Sequence, residues 1–321
     1  MNPLTLAYRA AAAARNHLYD RGTFARRRLS RPVVSIGNLS TGGSGKTPFV
    51  ILVGRLLAER GIAFDVLSRG YGRLRRGTLV VDPDGSPLDF GDEPLLIAKT
   101  LGCPVIVSES RYEAGMLAES RGKPELHLLD DGFQHRGLAR DFDIVLVAPE
   151  DLNDQLLPFG RLREPVSALA RADAVVVTEE FEARGLPEAK PVWTVRRSLE
   201  IPARPGLSRP VVFCGIARPH KFVGELRRAG LEPRAVKFYR DHHRYAARDI
   251  RDLIELKERS RADGFVSTEK DAMNLLGRDR LLAPIIFPPV RMELADPPDA
   301  LDTMFRAIEG RLRPGVRKST V

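Results

Sequence analysis

The segment Gly42-Gly43-Ser44-Gly45-Lys46-Thr47 has the make-up of a phosphate-binding loop. Its glycines let backbone N–H groups turn toward phosphate oxygens, and a helix starting at its end adds favourable partial charge. Lys46 would reach the β- and γ-phosphates, and the Thr47 hydroxyl would ligate Mg²⁺. We take Thr41 through Thr47 as the nucleotide-binding set. The strict pattern has glycine six residues before the lysine, where this chain has Ser40.

Carboxylates come next. The apolar run 126–129 ends in Asp130-Asp131-Gly132, and phosphate-loop enzymes place an Mg²⁺-supporting carboxylate at such a strand end. Adjacent aspartates point different ways, so one of the two is expected to approach the metal directly. A plain turn with solvated aspartates is the competing reading. In Gly91-Asp92-Glu93-Pro94, Asp92 either caps a helix or orients an attacking hydroxyl.

Far along the chain stands Asp241-His242-His243. Two adjacent histidines on a short loop cannot easily share one zinc ion. A histidine brought across a cleft to Asp92 would instead make a general base that titrates near neutrality. Arg69, Arg73, Arg111, Arg161 and Arg163 are candidates for neutralising phosphate or holding an anionic substrate. Thr268-Glu269-Lys270-Asp271 lacks the residue that a guanine-specificity box requires between lysine and aspartate, so ATP is expected over GTP.

The elements that must position these groups alternate strand and helix. Strands are expected over 33–36, 63–67, 79–82, 104–107, 126–129, 144–147 and 174–177, with helices over 49–60 and 93–101. A second series has strands over 210–215, 234–238, 264–268 and 285–290, and helices over 221–229 and 247–259. The fold class is α/β: a P-loop NTPase-type parallel sheet domain over 32–192 and a second, smaller α/β domain over 210–321. Residues 193–209 read as a linker, and 1–31 as a basic amphipathic helix region.

The 321 residues carry a net charge of +9, which suits an anionic partner. A basic nucleotide-dependent switch or nucleic-acid-binding protein is one alternative, and a kinase of a soluble sugar another. No aromatic-basic surface or nucleic-acid motif appears, so no nucleic-acid partner is expected. Arg9, Arg15, Arg21, Arg26, Arg27, Arg28 and Arg31 beside an apolar and alanine-rich face suit an anionic membrane surface. An ordinary helix packed on the domain is the other reading. Nothing approaches the roughly 20 apolar residues of a bilayer span. The two cysteines, Cys103 and Cys214, are expected to be buried and inert.

Taken together, these blocks resemble the tetraacyldisaccharide 4′-kinases of lipid A biosynthesis over nearly the whole chain. The resemblance runs through Ile36-Gly37-Asn38, Gly45-Lys46-Thr47-Pro48, Ser68-Arg69-Gly70-Tyr71-Gly72-Arg73 and Gly91-Asp92-Glu93-Pro94. It continues through Asp130-Asp131-Gly132-Phe133-Gln134-His135, Gly160-Arg161-Leu162-Arg163-Glu164-Pro165, Asp241-His242-His243 and Thr268-Glu269-Lys270-Asp271. It implies transfer of the ATP γ-phosphate to the 4′-hydroxyl of a tetraacyldisaccharide 1-phosphate lipid. It also implies a monomer peripheral to the cytoplasmic face of the bacterial inner membrane, with Mg²⁺ as cofactor. By the same resemblance His242 is the base and Asp92 its partner, and Asp130 and Asp131 organise the metal. Arg73, Arg111, Gln134, His135, Arg163 and Glu164 face the substrate. Arg218 stands where that family commonly has asparagine.

Overall fold

The computed structural model describes residues 2–181, 185–186, 190–202, 207–297 and 299–312. Helix α1 (Pro3–Asp20) starts where the Asn2 side chain accepts the Leu4 N–H and Pro3 takes a first-turn position. Then come β1 (Val33–Asn38), α2 (Lys46–Glu59), β2 (Phe64–Ser68), β3 (Leu79–Val80), α3 (Pro87–Phe90), α4 (Asp92–Leu101), β4 (Val105–Val107) and α5 (Arg111–Arg121). They are followed by β5 (Leu126–Asp130), β6 (Phe142–Leu146), β7 (Ala174–Thr178) and β8 (Val192–Leu199). These strands, with β13 (Val290–Asp296) from near the end of the chain, form a nine-stranded sheet of order β13-β8-β7-β6-β1-β5-β2-β4-β3. It is parallel except at its two edges, where β3 and β13 run antiparallel to their neighbours.

Strand β1 is buried along its whole length, as a central parallel strand covered on both faces must be. The chain leaves β1 toward β2 and β4, returns to pair β5 beside β1, then builds β6 to β8 on the other side. The carboxyl end of β1 is therefore the switch point, where such sheets form their ligand crevice. The glycine loop leaves that end, and Ile36 is in register with Asp130 on β5.

The second sheet holds β9 (Val211–Cys214), β10 (Ala235–Phe238), β11 (Phe265–Val266) and β12 (Ile285–Ile286), parallel and ordered β10-β9-β11-β12. Helices α6 (Pro219–Arg228), α7 (Ala247–Ser260) and α8 (Glu269–Asn274) accompany it. Its core includes Phe213, Tyr245, Leu253 and Phe265.

The chain divides differently from the expected boundaries. The expected linker contributes most of β8, whose Trp193 is buried against Phe142 with ring centroids 6.0 Å apart. After the second sheet, β13 (Val290–Asp296) returns to pair with β8, and α9 (Ala300–Ile308) buries Leu301, Met304 and Ile308 in the core of the first sheet. Charged Arg196 and Arg197 interrupt the apolar run of β8, which hides its alternation of buried Trp193 and Val195 with more exposed residues. Cys214 is buried and Cys103 half-buried, and burial pushes both thiols up to about 12. None of the helices among the described residues is long and apolar enough to cross a membrane.

Candidate active site

A cleft of about 1100 Å³ opens between the two sheets, floored by residues 41–48 and walled on one side by α1. Gly42, Gly43 and Gly45 all have positive φ, the condition for a loop that turns its amides inward. Gly45 leads directly into α2, so Lys46 and Thr47 stand in its first turn. The Lys46 ammonium donates to Asn38 Oδ1 at 3.0 Å and lies 3.5 Å from Asp131 Oδ1.

The two aspartates after β5 occupy contrasting surroundings. Asp131, at φ 51°, is gripped by both terminal nitrogens of Arg163 at 2.7 and 3.0 Å. Burial works against its charge, but Lys46 and Arg163 outweigh it and hold the carboxyl far below the usual range. Asp130 accepts a bond from Ser68 Oγ at 2.9 Å, while its Oδ1 is buried with no hydrogen-bond partner among the described residues. Burial, with Glu93 and Asp131 nearby, pushes its pKa up to about 7. A crowded, half-satisfied carboxylate beside a phosphate loop fits a divalent cation better than a solvated turn. Among the described residues no cluster of three or more His, Cys, Asp or Glu side chains is arranged to hold a metal. A cation here would therefore rest on Asp130, Thr47 and phosphate oxygens, a sparse protein contribution that suits Mg²⁺.

Across the cleft, His242 sits at φ 58° in the loop after β10. Its Nδ1 lies 2.9 and 3.0 Å from the two Asp92 oxygens. Asp92 is buried at the start of α4 and also accepts from Asn274 Nδ2 at 2.9 Å. The Lys270 ammonium lies 3.3 Å from His242 Nε2 and is itself held by Glu93 at 3.1 Å and Asp241 at 3.2 Å. These partners assign the tautomer: Nδ1–H donates to Asp92, and the Nε2 lone pair faces Lys270. Burial alone would lower the His242 pKa, yet the Asp92 bond lifts it above the usual value while Lys270 opposes. Asp92 shows the counterpart: burial raises, and the His242 bond with Lys270 lowers by more. His243 turns elsewhere, onto Asp249 at 3.1 Å and against the Tyr239 ring.

Most of the residues expected to face a substrate do line this cleft. Arg111, Gln134, His135, Arg163 and Glu164 are all on its wall. Gln134 donates to the Asn38 carbonyl at 2.9 Å, and burial with Arg111 and Arg140 nearby lowers His135 to about 4, leaving it neutral. Burial lowers Arg111 to about 10 against the attraction of Asp130 and Asp131, and its Nε has no hydrogen-bond partner among the described residues. Glu164 is largely spent on Arg171 and on Asn16 of α1, at 2.7 Å each. Arg73 is not on the wall; it binds Glu109 and the Gly77 carbonyl and holds its own loop. Arg161 pairs with Asp154.

Sequence reasoning did not single out Lys270, Asn274 or Tyr71 as site residues. Lys270 and Asn274 share a face of α8 at helical spacing, a signal that Thr268-Glu269-Lys270-Asp271 carried only as a failed guanine box. Tyr71 packs its ring 5.1 Å from that of His242.

A family profile described as tetraacyldisaccharide-1-P 4′-kinase matches residues 1–309. A relative from Koribacter versatilis (strain Ellin345), named tetraacyldisaccharide 4′-kinase, is 52% identical over 320 residues, spanning 97% of this chain and 99% of its own. A relative of the same name from Aquifex aeolicus (strain VF5) is 37% identical over 297 residues, spanning 88% and 91%. A crystal structure of the "apo" form of LpxK from Aquifex aeolicus in complex with ATP aligns with a TM-score of 0.79 at 33% identity, over 95% of this chain and 98% of that one.

Proposed function

This chain belongs to the tetraacyldisaccharide-1-P 4′-kinase family, and from that premise we propose that it transfers the γ-phosphate of ATP to the 4′-hydroxyl of a tetraacyldisaccharide 1-phosphate in lipid A biosynthesis. The observation that carries this reading is the contact of buried Asp92 with half-buried His242, facing a phosphate loop across one cleft.

The glycine loop and Lys46 hold the triphosphate. Thr47 and Asp130, with Asp131 behind them, would hold Mg²⁺, which would supply charge neutralisation on the phosphates. Arg163 keeps Asp131 and Asn38 in place, and Lys46 donates to the same Asn38 oxygen. The acceptor hydroxyl takes the place of the Lys270 ammonium at His242 Nε2, where Lys270 now lies 3.3 Å away, and gives its proton to that nitrogen, while Lys270 stays held by Glu93 and Asp241. Asp92 keeps the other ring nitrogen protonated and stabilises the imidazolium that forms. Arg111, with an unpaired Nε, and Arg69 are cations on the wall for the acceptor's own phosphate or sugar oxygens.

Helix α1 brings the lipid to this site. Tyr8, Ala11, Ala12 and Arg15 line the cleft, while Leu4 and Leu6 on the same helix are exposed. An exposed aliphatic end beside arginines suits the interface of an anionic membrane. The protein works as a monomer on the cytoplasmic face of the bacterial inner membrane.

Incubation with ATP, Mg²⁺ and tetraacyldisaccharide 1-phosphate should convert the lipid to a bisphosphate, read as a mass gain of one phosphate group. Unchanged lipid in the presence of ATP-binding protein overturns the assignment.

A further inference from the structure

The loop that joins β9 to α6 sits directly on the phosphate loop. A Cβ built on Gly42 would meet the Ala217 Cβ at 2.8 Å, and one built on Gly43 would meet Arg218 Cγ at 2.8 Å and its Cδ and Nε at 3.0 Å. Any side chain at position 43 would therefore collide with the Arg218 side chain, which crosses the crest of the loop.

Arg218 has more donors than partners. Its Nη1 donates to Glu150 at 3.0 Å, and its Nη2 lies 3.8 Å from Asp151, outside hydrogen-bond reach. Nε and Nη2 are buried and have no hydrogen-bond partner among the described residues. The side chain is only 14% exposed, so water satisfies little of it. Buried donors left open are costly, and a charged acceptor is the partner that best fits a guanidinium fork. Glu150 is itself more than half exposed, and such ion pairs are weak.

The same wall of the cleft carries two further cations, Arg197 from β8 and Lys221 from α6. Burial lowers the Lys221 pKa, and Arg197 and Arg218 add to the effect. Burial also brings Arg197 down to about 10, with Arg228 contributing. Arg218 and Lys221 from the second sheet's elements, with Arg197 from β8 of the first sheet (itself paired with Glu225), put three cations on one stretch of wall, one of them lying over the glycine loop, and make a site for a polyanion.

We propose that Arg218 is a nucleotide-phosphate ligand supplied by the second sheet, with Lys221 and Arg197 as its electrostatic support. The inference rests on the reading of residues 41–47 as the ATP site. It gives the second sheet a hold on the donor nucleotide, separate from the Asp92–His242 hold on the acceptor.

Calorimetric titration of ATP into the full-length wild type, Arg218→Gln, Arg218→Lys and Glu150→Gln proteins tests this. Melting temperatures without ATP check that each variant is folded. We expect Arg218→Gln to weaken ATP about tenfold to a hundredfold. Arg218→Lys should recover part of the loss, and Glu150→Gln should bind ATP as tightly as wild type or more so. If Arg218→Gln does not fold, Arg218→Lys carries the test, with a severalfold loss expected because lysine lacks the planar fork. Unchanged ATP affinity in both arginine variants overturns the proposal. So does an equal loss in Glu150→Gln, which would make Arg218 a clamp to Glu150 and nothing more. Failure of the wild type itself to bind ATP would instead sink the kinase reading.

Discussion

Nδ1 of His242 lies 2.9 Å from a carboxylate oxygen of Asp92, although the two residues are 150 positions apart and belong to different sheets. Their contact requires the cleft to be closed enough for the loop after β10 to reach the first turn of α4. Asn274 and Lys270, both on α8, brace the pair from the second sheet. The proposed base is thus assembled by tertiary packing, and its chemistry would depend on Asp92 staying charged.

The first prediction is a pH dependence. A general base accepts a proton only when neutral, so activity rises with pH through the pKa of His242. Burial lowers that pKa and the Lys270 charge adds to the effect, yet the Asp92 bond outweighs both and holds it above the ordinary imidazole value of 6.5. Removing the Asp92 charge should move the acidic limb of the kcat profile to lower pH and reduce its plateau about tenfold or more. A pH series on Asp92→Asn reads both effects; a limb that stays where the wild type has it would show that Asp92 does not tune the histidine.

The proposed metal-holding role of Asp130 sets function against stability. Burial and neighbouring acids raise its folded pKa to about 7, so stability falls as pH rises from the ordinary carboxylate value of 3.8, and the full cost of the ionised form stands above pH 7. Asp130→Asn removes the charge with little change in shape. At pH 8 and without nucleotide the variant should melt about 2 °C or more above wild type, while phosphoryl transfer falls steeply and is not restored by excess Mg²⁺. A lower melting temperature would mean that the carboxylate is better satisfied than its unpaired Oδ1 indicates.

The site was legible in the sequence where chemistry follows from adjacency. The glycine loop needs only its own residues, and Asp130-Asp131 announce themselves at the end of an apolar run. The Asp92–His242 partnership could be framed from residue types, but choosing His242 over His243 from the residues alone was beyond local pattern. It depends on one backbone conformation, φ 58°, which turns one ring to the cleft and leaves the next against Tyr239. Strands β8 and β13 were lost for a similar reason. Each is a partly exposed edge or near-edge strand with charged residues facing outward, and their antiparallel pairing links segments about a hundred residues apart. Lys270 and Asn274 matter through what α8 is packed against, which no spacing rule contains.

Away from the cleft, His127 is fully buried between Asp65 at 2.8 Å and Glu119 at 3.3 Å, and Glu119 also accepts the Arg31 N–H at 2.8 Å. His127→Ala would strand two acids, one of them in the core, and should cost roughly 3–5 kcal/mol in urea unfolding. A loss under about 1 kcal/mol would show that the strands accommodate the gap with water.

Membrane attachment has its own test. Leu4 and Leu6 are exposed on α1, whereas Tyr8, Arg15 and Asn16 make the hydrogen bonds that tie the helix to Arg163, Gln134 and Glu164. The double substitution Leu4→Ser and Leu6→Ser should leave ATP binding intact and reduce sedimentation with anionic vesicles severalfold. Equal sedimentation would remove α1 from the lipid interface.

The central claim is best tested by transfer of label from γ-labelled ATP to tetraacyldisaccharide 1-phosphate in mixed micelles, with wild type and His242→Ala compared at matched ATP occupancy. The account predicts labelled lipid from the wild type and a fall of about 10²–10⁴-fold in the variant, with ATP affinity little changed. Equal turnover by the two proteins, or a wild type that binds ATP and labels no lipid, would contradict it.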